Sequence, residues 1–259
     1  MKIPALEYQS VRSYNREIFF IEHGDLVKAF VAIDANFNTL LRLPSTMRDS
    51  NSKSHVSLIP FILLLQRQAQ SAFEALSAFQ SYQAWVLLRP GIEAVLIVGK
   101  WVDDPQNAEI WKNRENDPQL YQKTYTGKGL RSRSLPGSES IQGVLRKIND
   151  GFVHANPDYY RRHLDIDPGH PDYVNMLLQY FDNDTLLVVN VFAFLHLLLV
   201  VQQALLSLFK KLFDCDVVLP SSLELFGRTY GAKIRELADS AEEYRTLLRE
   251  LGMWNTGAS

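Results

Sequence analysis

The sequence predicts an all-α fold, a single-domain bundle of several helices, and three observations lead to that prediction. Apolar residues recur every three or four positions over most of the 259 residues, which is typical of amphipathic helices. Little of the chain shows the apolar–polar alternation of a strand. One run, residues 186–209, is apolar nearly all round, as expected of a central helix enclosed by others. We therefore expect residues 1–259 to form one multi-helix domain around one core.

The N-terminal part contains a variable segment, a helix and a loop. Residues 1–23 are mixed in character, and Ile18–Ile21 is compatible with a short strand or with one turn of helix. A helix should follow from Asp25, because apolar residues recur on one face until Pro44. Residues 45–56 are polar and rich in turn-forming residues, so we expect a mobile loop there.

The central stretch, residues 57–102, is predicted to be one long helix that is bent at Pro90. Proline has no amide donor and its ring crowds the preceding turn, which bends a helix. Arg89 and Glu93 lie four residues apart, and the helical register places Glu93 on the apolar stripe. A buried carboxylate needs a partner, and Arg89 is the nearest candidate. We interpret the pair either as a structural ion pair that locks the bend or as an anion-binding or catalytic pair in a cleft.

The rest of the chain alternates between helices and polar segments. Residues 114–138 lack periodicity and contain glycine and proline turns, so we expect a second mobile loop there. Residues 159–171 are predicted to be a polar connector. Further helices are predicted, in order, over residues 105–113, 141–154, 172–181 and 186–213, and from the Ser221-x-x-Glu224 capping box onward.

The apolar run at residues 186–209 approaches the length that spans a bilayer, about 20 residues. Asn190, His196 and Gln202 interrupt it, and each is costly to expose to lipid. We interpret it as the buried helix of a soluble protein, with His196 as a core histidine; membrane association is the alternative. A net charge of −2, the single Cys215 and the absence of an apolar secretory signal favour a cytoplasmic protein that does not bind membranes.

A second polar group lies near the end of the helix that approaches His154. Asn149, Asp150 and His154 lie within about one helical turn, with Arg146 one turn before. A histidine near a helix C-terminus is favoured in its cationic form, and its titration range suits acid–base catalysis. The alternative is that His154 caps carbonyl groups or packs under Tyr159.

These motifs resemble a known group of proteins. The Arg-x-x-x-Glu of residues 89–93, followed by Val153-His154 on a later helix, is similar to uncharacterised all-helical bacterial domains of the abortive-infection and HEPN-like type. The similarity covers residues 58–160. Many HEPN domains are ribonucleases of toxin or antiviral systems, and they use an Arg-polar-x-x-x-His motif across a dimer interface.

The resemblance implies particular roles for the residues that match the motif. His154 would be the general acid/base and Asp150 the polar residue, and the chain would form a homo-oligomer. The chain departs from the motif at the arginine position, which holds Asn149. Arg146 or Arg89 would therefore have to offset the charge of the scissile phosphate, with Glu93 beside Arg89.

Residues 112–133 combine basic and aromatic side chains, a pattern that can hold an RNA backbone and stack bases. A solvated charged loop is the alternative. The acidic segment from His163 to Asp172 fits neither calcium-loop nor zinc spacing, so we predict no metal site and no cofactor. The candidate RNA contacts are Lys123, Lys128, Arg131 and Arg133.

Two functions follow from these features. The first is a HEPN-like, RNA-acting component of a bacterial stress or antiviral defence system, which would be a metal-independent ribonuclease if it is an enzyme. The second is a non-enzymatic helical module for protein interaction or regulation. RNA and a protein are the corresponding candidate partners.

Overall fold

The computed structural model describes residues 4–42, 56–153, 164–167, 175–178 and 181–213, and three isolated positions nearer the C-terminus. Nearly all of these residues are helical, which confirms the all-α prediction. The described residues contain eight α-helices: α1 (Pro4–Glu22), α2 (Gly24–Arg42), α3 (Ile59–Ser77), α4 (Ser81–Asp103), α5 (Gln106–Lys112), α6 (Pro118–Tyr125), α7 (Ser138–Ile148) and α8 (Asp184–Phe213).

The joint in the central stretch lies at Ala78–Gln80, not at Pro90. Helix α3 ends at Ser77, and Phe79 has a positive φ of 61° that reverses the chain. The carboxylate of Asp182 then accepts a hydrogen bond from the amide of Ser81 at the start of α4, over 2.8 Å. Helix α4 continues through Pro90, because the fully buried Leu88 and Ile92 on either side hold it in the core. The prediction of one helix over residues 57–102 is therefore wrong, since the stretch forms two helices and neither ends at Pro90.

Helix α8 lies in the core, and its polar residues are hydrogen-bonded there. The indole Nε1 of Trp85 donates to Oδ1 of Asn190 over 2.8 Å, and Nε2 of Gln202 donates to the carbonyl of Ile33 over 2.6 Å. His196 is instead on the exposed side of α8, so the expectation of a core histidine is wrong. Partial desolvation by its neighbours still lowers the pKa of His196.

One described helix segment, Leu186–Leu212, is long and apolar enough to cross a membrane by length and composition. Within its most apolar window, 72% of the residues are buried inside the protein. Burial and the internal hydrogen bonds of Asn190 and Gln202 are what a core helix requires. These features favour the buried-helix interpretation over a membrane span.

Some of the shorter elements form as predicted, and others differ. Residues 18–21, which were compatible with strand or helix, belong to α1, and the helix expected over residues 105–113 is α5. The segment expected to be an irregular loop, residues 114–138, contains α6 and a 3₁₀ turn at Gly127–Leu130. The loop at residues 45–56, except for Val56, lies outside the described residues. The helix expected from Ser221 does so too, apart from the three isolated positions, which are helical.

The prediction of a brief helix over residues 172–181 is wrong. Asn175–Leu178 is a strand, β2, which pairs antiparallel with β1 (Leu164–Asp167), so that Leu164 lies opposite Leu178. A periodic pattern of so few residues does not distinguish a helix from a strand. Residues 175–178 form a strand because they pair with Leu164–Asp167, which lies in the segment predicted to be a polar connector.

Candidate functional site

The predicted Arg89–Glu93 pair exists, but it is not buried. Nη1 of Arg89 lies 3.4 Å from Oε2 of Glu93, and the two side chains are 34% and 30% exposed. The expectation that Glu93 lies on the buried side of the helix is therefore wrong. Gly91 and Ile92 take the buried positions of this turn, which leaves the ion pair at the margin of the core.

Arg89 also joins α4 to the end of α7. Its Nε donates a hydrogen bond to Oδ1 of Asn149 over 2.5 Å. Asn149 begins a π-helical turn, Asn149–Val153, which follows α7 directly. The ring of Phe152 in this turn packs against that of Trp85, with the centroids 6.0 Å apart. Arg89 is thus next to Asn149, which stands where the predicted resemblance would require an arginine.

An open cleft of about 270 Å³ lies between α7 and the 3₁₀ turn, and Asn149 lines its edge. Lys128 and Arg146 are its charged lining residues, and none of the described residues that line it is acidic. Leu130 and Leu145 give it an apolar floor. The described lining residues are Gly127, Lys128, Leu130, Gln142, Leu145, Arg146 and Asn149.

The 3₁₀ turn that forms one wall of the cleft is held rigidly. Nε2 of Gln142 on α7 donates to the carbonyl of Gly127, and Nε of Arg131 donates to Oε1 of Gln142 over 2.8 Å. Gly129 is required, because a Cβ at this position would overlap the carbonyl oxygen of Lys123. Lys128 is therefore presented on a fixed backbone.

Beneath this wall, Tyr125 is 3% exposed and accepts a hydrogen bond from Nε1 of Trp101 over 3.0 Å. Its hydroxyl donates to the carbonyl of Asn107 over 2.5 Å. Burial raises the pKa of Tyr125 to about 12, although the hydrogen bond from Trp101 opposes the effect. Tyr125 therefore supports the wall, and it is too buried to stack on a base, which was the role expected of the aromatic side chains in residues 112–133.

The structure separates the four candidate RNA contacts. Lys128 lines the cleft with Arg146. Arg131 is engaged internally, since its Nη2 lies 2.8 Å from Oε1 of Glu139. Lys123 and Arg133 are exposed and do not line the cleft.

Four of the five candidate catalytic residues, all except His154, lie in the described part of the chain. Arg146 lines the cleft, and Arg89 contacts the lining residue Asn149 while it pairs with Glu93. Asp150 is exposed on the π-helical turn. His154 lies outside the described residues, as do Tyr159 and Cys215.

Sequence patterns did not identify Gln142 at the cleft, nor a second polar cluster elsewhere in the structure. Gln142 fixes the wall of the cleft, but a glutamine is common on any amphipathic helix. Glu22, His23 and Asp184 form a separate polar cluster, and their ligand atoms lie within 4.8 Å of one another. His23 and Asp184 are 161 positions apart, so no local motif could have revealed this cluster.

Comparison of the chain with models of protein families, with curated proteins and with solved structures gave no significant match. The resemblance to HEPN-like domains therefore stays a prediction from short motifs. The functional proposal depends instead on the geometry of the cleft and on the contacts of Arg89.

Proposed function

We propose that the protein binds RNA through the cleft between α7 and the 3₁₀ turn, as a component of a bacterial stress or defence system. One observation carries the proposal. Two cations, Lys128 and Arg146, line a cleft whose described lining contains no carboxylate, and Arg89 contacts Asn149 at its edge. A local concentration of positive charge attracts phosphate even though the whole chain has a net charge of −2.

The shape of the cleft supports a small contact with a single strand. Its volume of about 270 Å³ is near the lower end of ordinary ligand pockets, about 300–1,000 Å³. The apolar floor of Leu130 and Leu145 suits a sugar or a base, and the cations suit the adjoining phosphates. Unpaired nucleotides offer both groups at once, so we expect single-stranded RNA or a loop to bind better than a duplex.

If the bound RNA is cleaved, the reaction would be a metal-independent phosphoryl transfer. A 2′-hydroxyl would attack the neighbouring phosphorus as a general base takes its proton. The bond to the 5′-oxygen would then break, and that oxygen would receive a proton from a general acid. His154, five positions after Asn149, is the proposed acid/base, and Arg89 or Arg146 would offset the phosphate charge.

Binding is tested by titrating labelled single-stranded and hairpin RNA with the full chain at several salt concentrations. The double variant Lys128→Gln/Arg146→Gln should bind more weakly and with a smaller salt slope, by roughly 0.7 for each phosphate that is no longer neutralised. Lys123→Gln/Arg133→Gln is the matched control, since it removes the same charge outside the cleft lining. Equal losses of RNA affinity in both variants would show that only the total charge of the protein matters. That result would contradict RNA binding in the cleft.

Cleavage is tested with the same RNAs and the variant His154→Ala. Activity that is lost in His154→Ala while RNA affinity is retained would support the acid/base role. Cleavage that persists unchanged in that variant would contradict it.

A second function has its own observation. Helices α1 and α2 expose large apolar side chains, including Leu6 (62% exposed), Tyr14 (62%) and Ile21 (73%). Several exposed apolar side chains on neighbouring helices favour a protein-interaction surface there. The alternative proposal is therefore a non-enzymatic interaction module, favoured if neither RNA binds. Light scattering of the purified chain tests the proposed homo-oligomer, and cell fractionation tests the proposed cytoplasmic location.

A further inference from the structure

The second polar cluster lies away from the cleft, where the joint between α1 and α2 meets the start of α8. Nε2 of His23 lies 2.8 Å from Oδ1 of Asp184, and a carboxylate oxygen of Glu22 completes a group in which all ligand atoms are within 4.8 Å. We propose that Glu22, His23 and Asp184 bind one divalent transition-metal ion, for which Zn²⁺ is the probe.

The imidazole of His23 is held in place before any ion binds. Its ring packs against the buried ring of Phe19, with the centroids 5.3 Å apart, and its side chain is 14% exposed. The carbonyl of His23 accepts hydrogen bonds from the amides of Leu26 and Val27 at the start of α2. A rigid first ligand reduces the entropy that binding must overcome.

The two carboxylates are available as ligands. The N-terminus of α8 is capped by Asn183, whose Oδ1 accepts from the amide of Leu186 over 2.8 Å, so Asp184 is not needed as the cap. Within the described part of the chain, no basic side chain forms an ion pair with Glu22. Two carboxylates beside one imidazole form a donor set to which a divalent cation would bring charge of the opposite sign.

The ligand set determines the class of ion. One imidazole nitrogen with two carboxylate oxygens suits Zn²⁺ and similar ions, whereas Mg²⁺ and Ca²⁺ prefer oxygen alone. With ligand distances of about 2.0–2.2 Å, neighbouring ligands on a tetrahedral ion are roughly 3.4 Å apart. The His23–Asp184 contact would therefore open by roughly 0.6 Å, and the exposed side chain of Glu22 would swing inward. Three protein ligands leave the fourth position to water.

A bound ion would join two distant parts of the chain. It would connect the α1–α2 joint to α8 across 161 positions, in the way that a cross-link restricts the unfolded chain. The bound state should therefore be more stable, by mass action.

The test uses the full chain, freed of metal with chelator and then titrated with ZnCl₂ by calorimetry. We expect one zinc equivalent to be lost, or its affinity to fall at least about tenfold, in His23→Gln, Asp184→Asn and Glu22→Gln. The control His196→Gln removes an exposed histidine elsewhere and should leave that equivalent unchanged. Zinc should raise the melting temperature of the wild-type protein, chelator should reverse the rise, and Mg²⁺ at the same concentration should not cause it.

The zinc-dependent change in melting temperature is compared within each variant, because His23→Gln also removes the hydrogen bond to Asp184. Glu22→Gln leaves that hydrogen bond intact and serves as the second variant. If His23→Gln and Glu22→Gln bind as many zinc equivalents as the wild type with the same affinity, the proposal is wrong. The His23–Asp184 contact is then an ion pair or hydrogen bond only.

Discussion

Two polar groups on helix α4 differ in one property, which is access to water. Trp85 is 2% exposed and donates to Asn190 inside the core, whereas the Arg89–Glu93 pair, one turn further on, is about one-third exposed. The sequence marks the second group as the unusual one, because it carries charge on an apolar helix. The structure assigns the larger contribution to stability to the first group and leaves the second accessible to a ligand.

The physical reason is the cost of leaving a partner unsatisfied. A buried donor or acceptor that loses its partner cannot turn to water, so the loss destabilises the fold by about 1–3 kcal/mol. An ion pair that is one-third exposed can exchange its partner for water, and it contributes about 0.2–1 kcal/mol. Substitutions and a change of pH can test this contrast, from the largest expected effect on stability to the smallest.

Trp85→Ala should lower the free energy of unfolding by about 3–5 kcal/mol, because it leaves a cavity and removes the donor to the buried Oδ1 of Asn190. Urea denaturation followed by circular dichroism measures the change. Tyr14→Ala, an exposed aromatic residue, is the control and should change stability far less. A loss for Trp85→Ala below about 1 kcal/mol would contradict the placement of this side chain in the core.

The stability contributed by Tyr125 should disappear at high pH. Burial raises the pKa of Tyr125 to about 12, above the ordinary value of 10.0, so the folded protein keeps a proton that the unfolded chain releases. The contribution is complete below pH 10 and is lost as the pH rises through 12, by about 2–3 kcal/mol in total.

Unfolding measured from pH 9 to 12 tests this sign, with Tyr125→Phe as the reference that removes the titrating group. The wild-type protein should lose stability more steeply than Tyr125→Phe over this range. Parallel curves would show that the Tyr125 hydroxyl is not buried in the folded protein.

Glu93→Ala should cost only about 0.2–1 kcal/mol, since both members of the pair contact solvent. A buried pair would cost about 3–5 kcal/mol, because the remaining Arg89 would be left as an uncompensated charge. Thermal unfolding at low and high salt distinguishes the two cases. A loss of stability in the range expected for a buried pair, unchanged by salt, would show that the Arg89–Glu93 pair is buried.

Lys128→Gln should leave the melting temperature within experimental error and weaken RNA binding, because Lys128 is exposed and lines the cleft. Lys123→Gln is the matched control. It should also leave the melting temperature unchanged, and it should weaken RNA binding less than Lys128→Gln does. A fall in stability without a change in RNA affinity would make Lys128 a structural residue, and the contrast between core and cleft would not hold there.

The sequence could predict the elements whose apolar stripes are long. The periodic apolar pattern predicts α2 and the helical character of the stretch that forms α3 and α4, and the continuous apolar run predicts α8, because burial of apolar surface is the main force that forms these helices. The Arg89–Glu93 pair follows from helical spacing. The exposure of the pair does not follow from spacing, because a shift of one residue along a helix separates a buried side chain from an exposed one.

The sequence by itself therefore determined the all-α class, the buried long helix and the residue types available for chemistry. The tertiary structure decided three other matters: the joint at Phe79 instead of Pro90, the exposure of Glu93, and the cleft that unites Lys128 with Arg146. Each depends on a contact between distant positions, such as Asp182 capping α4 or Arg89 reaching Asn149. Such contacts form only when packed helices bring those side chains together, and a linear pattern does not contain that information.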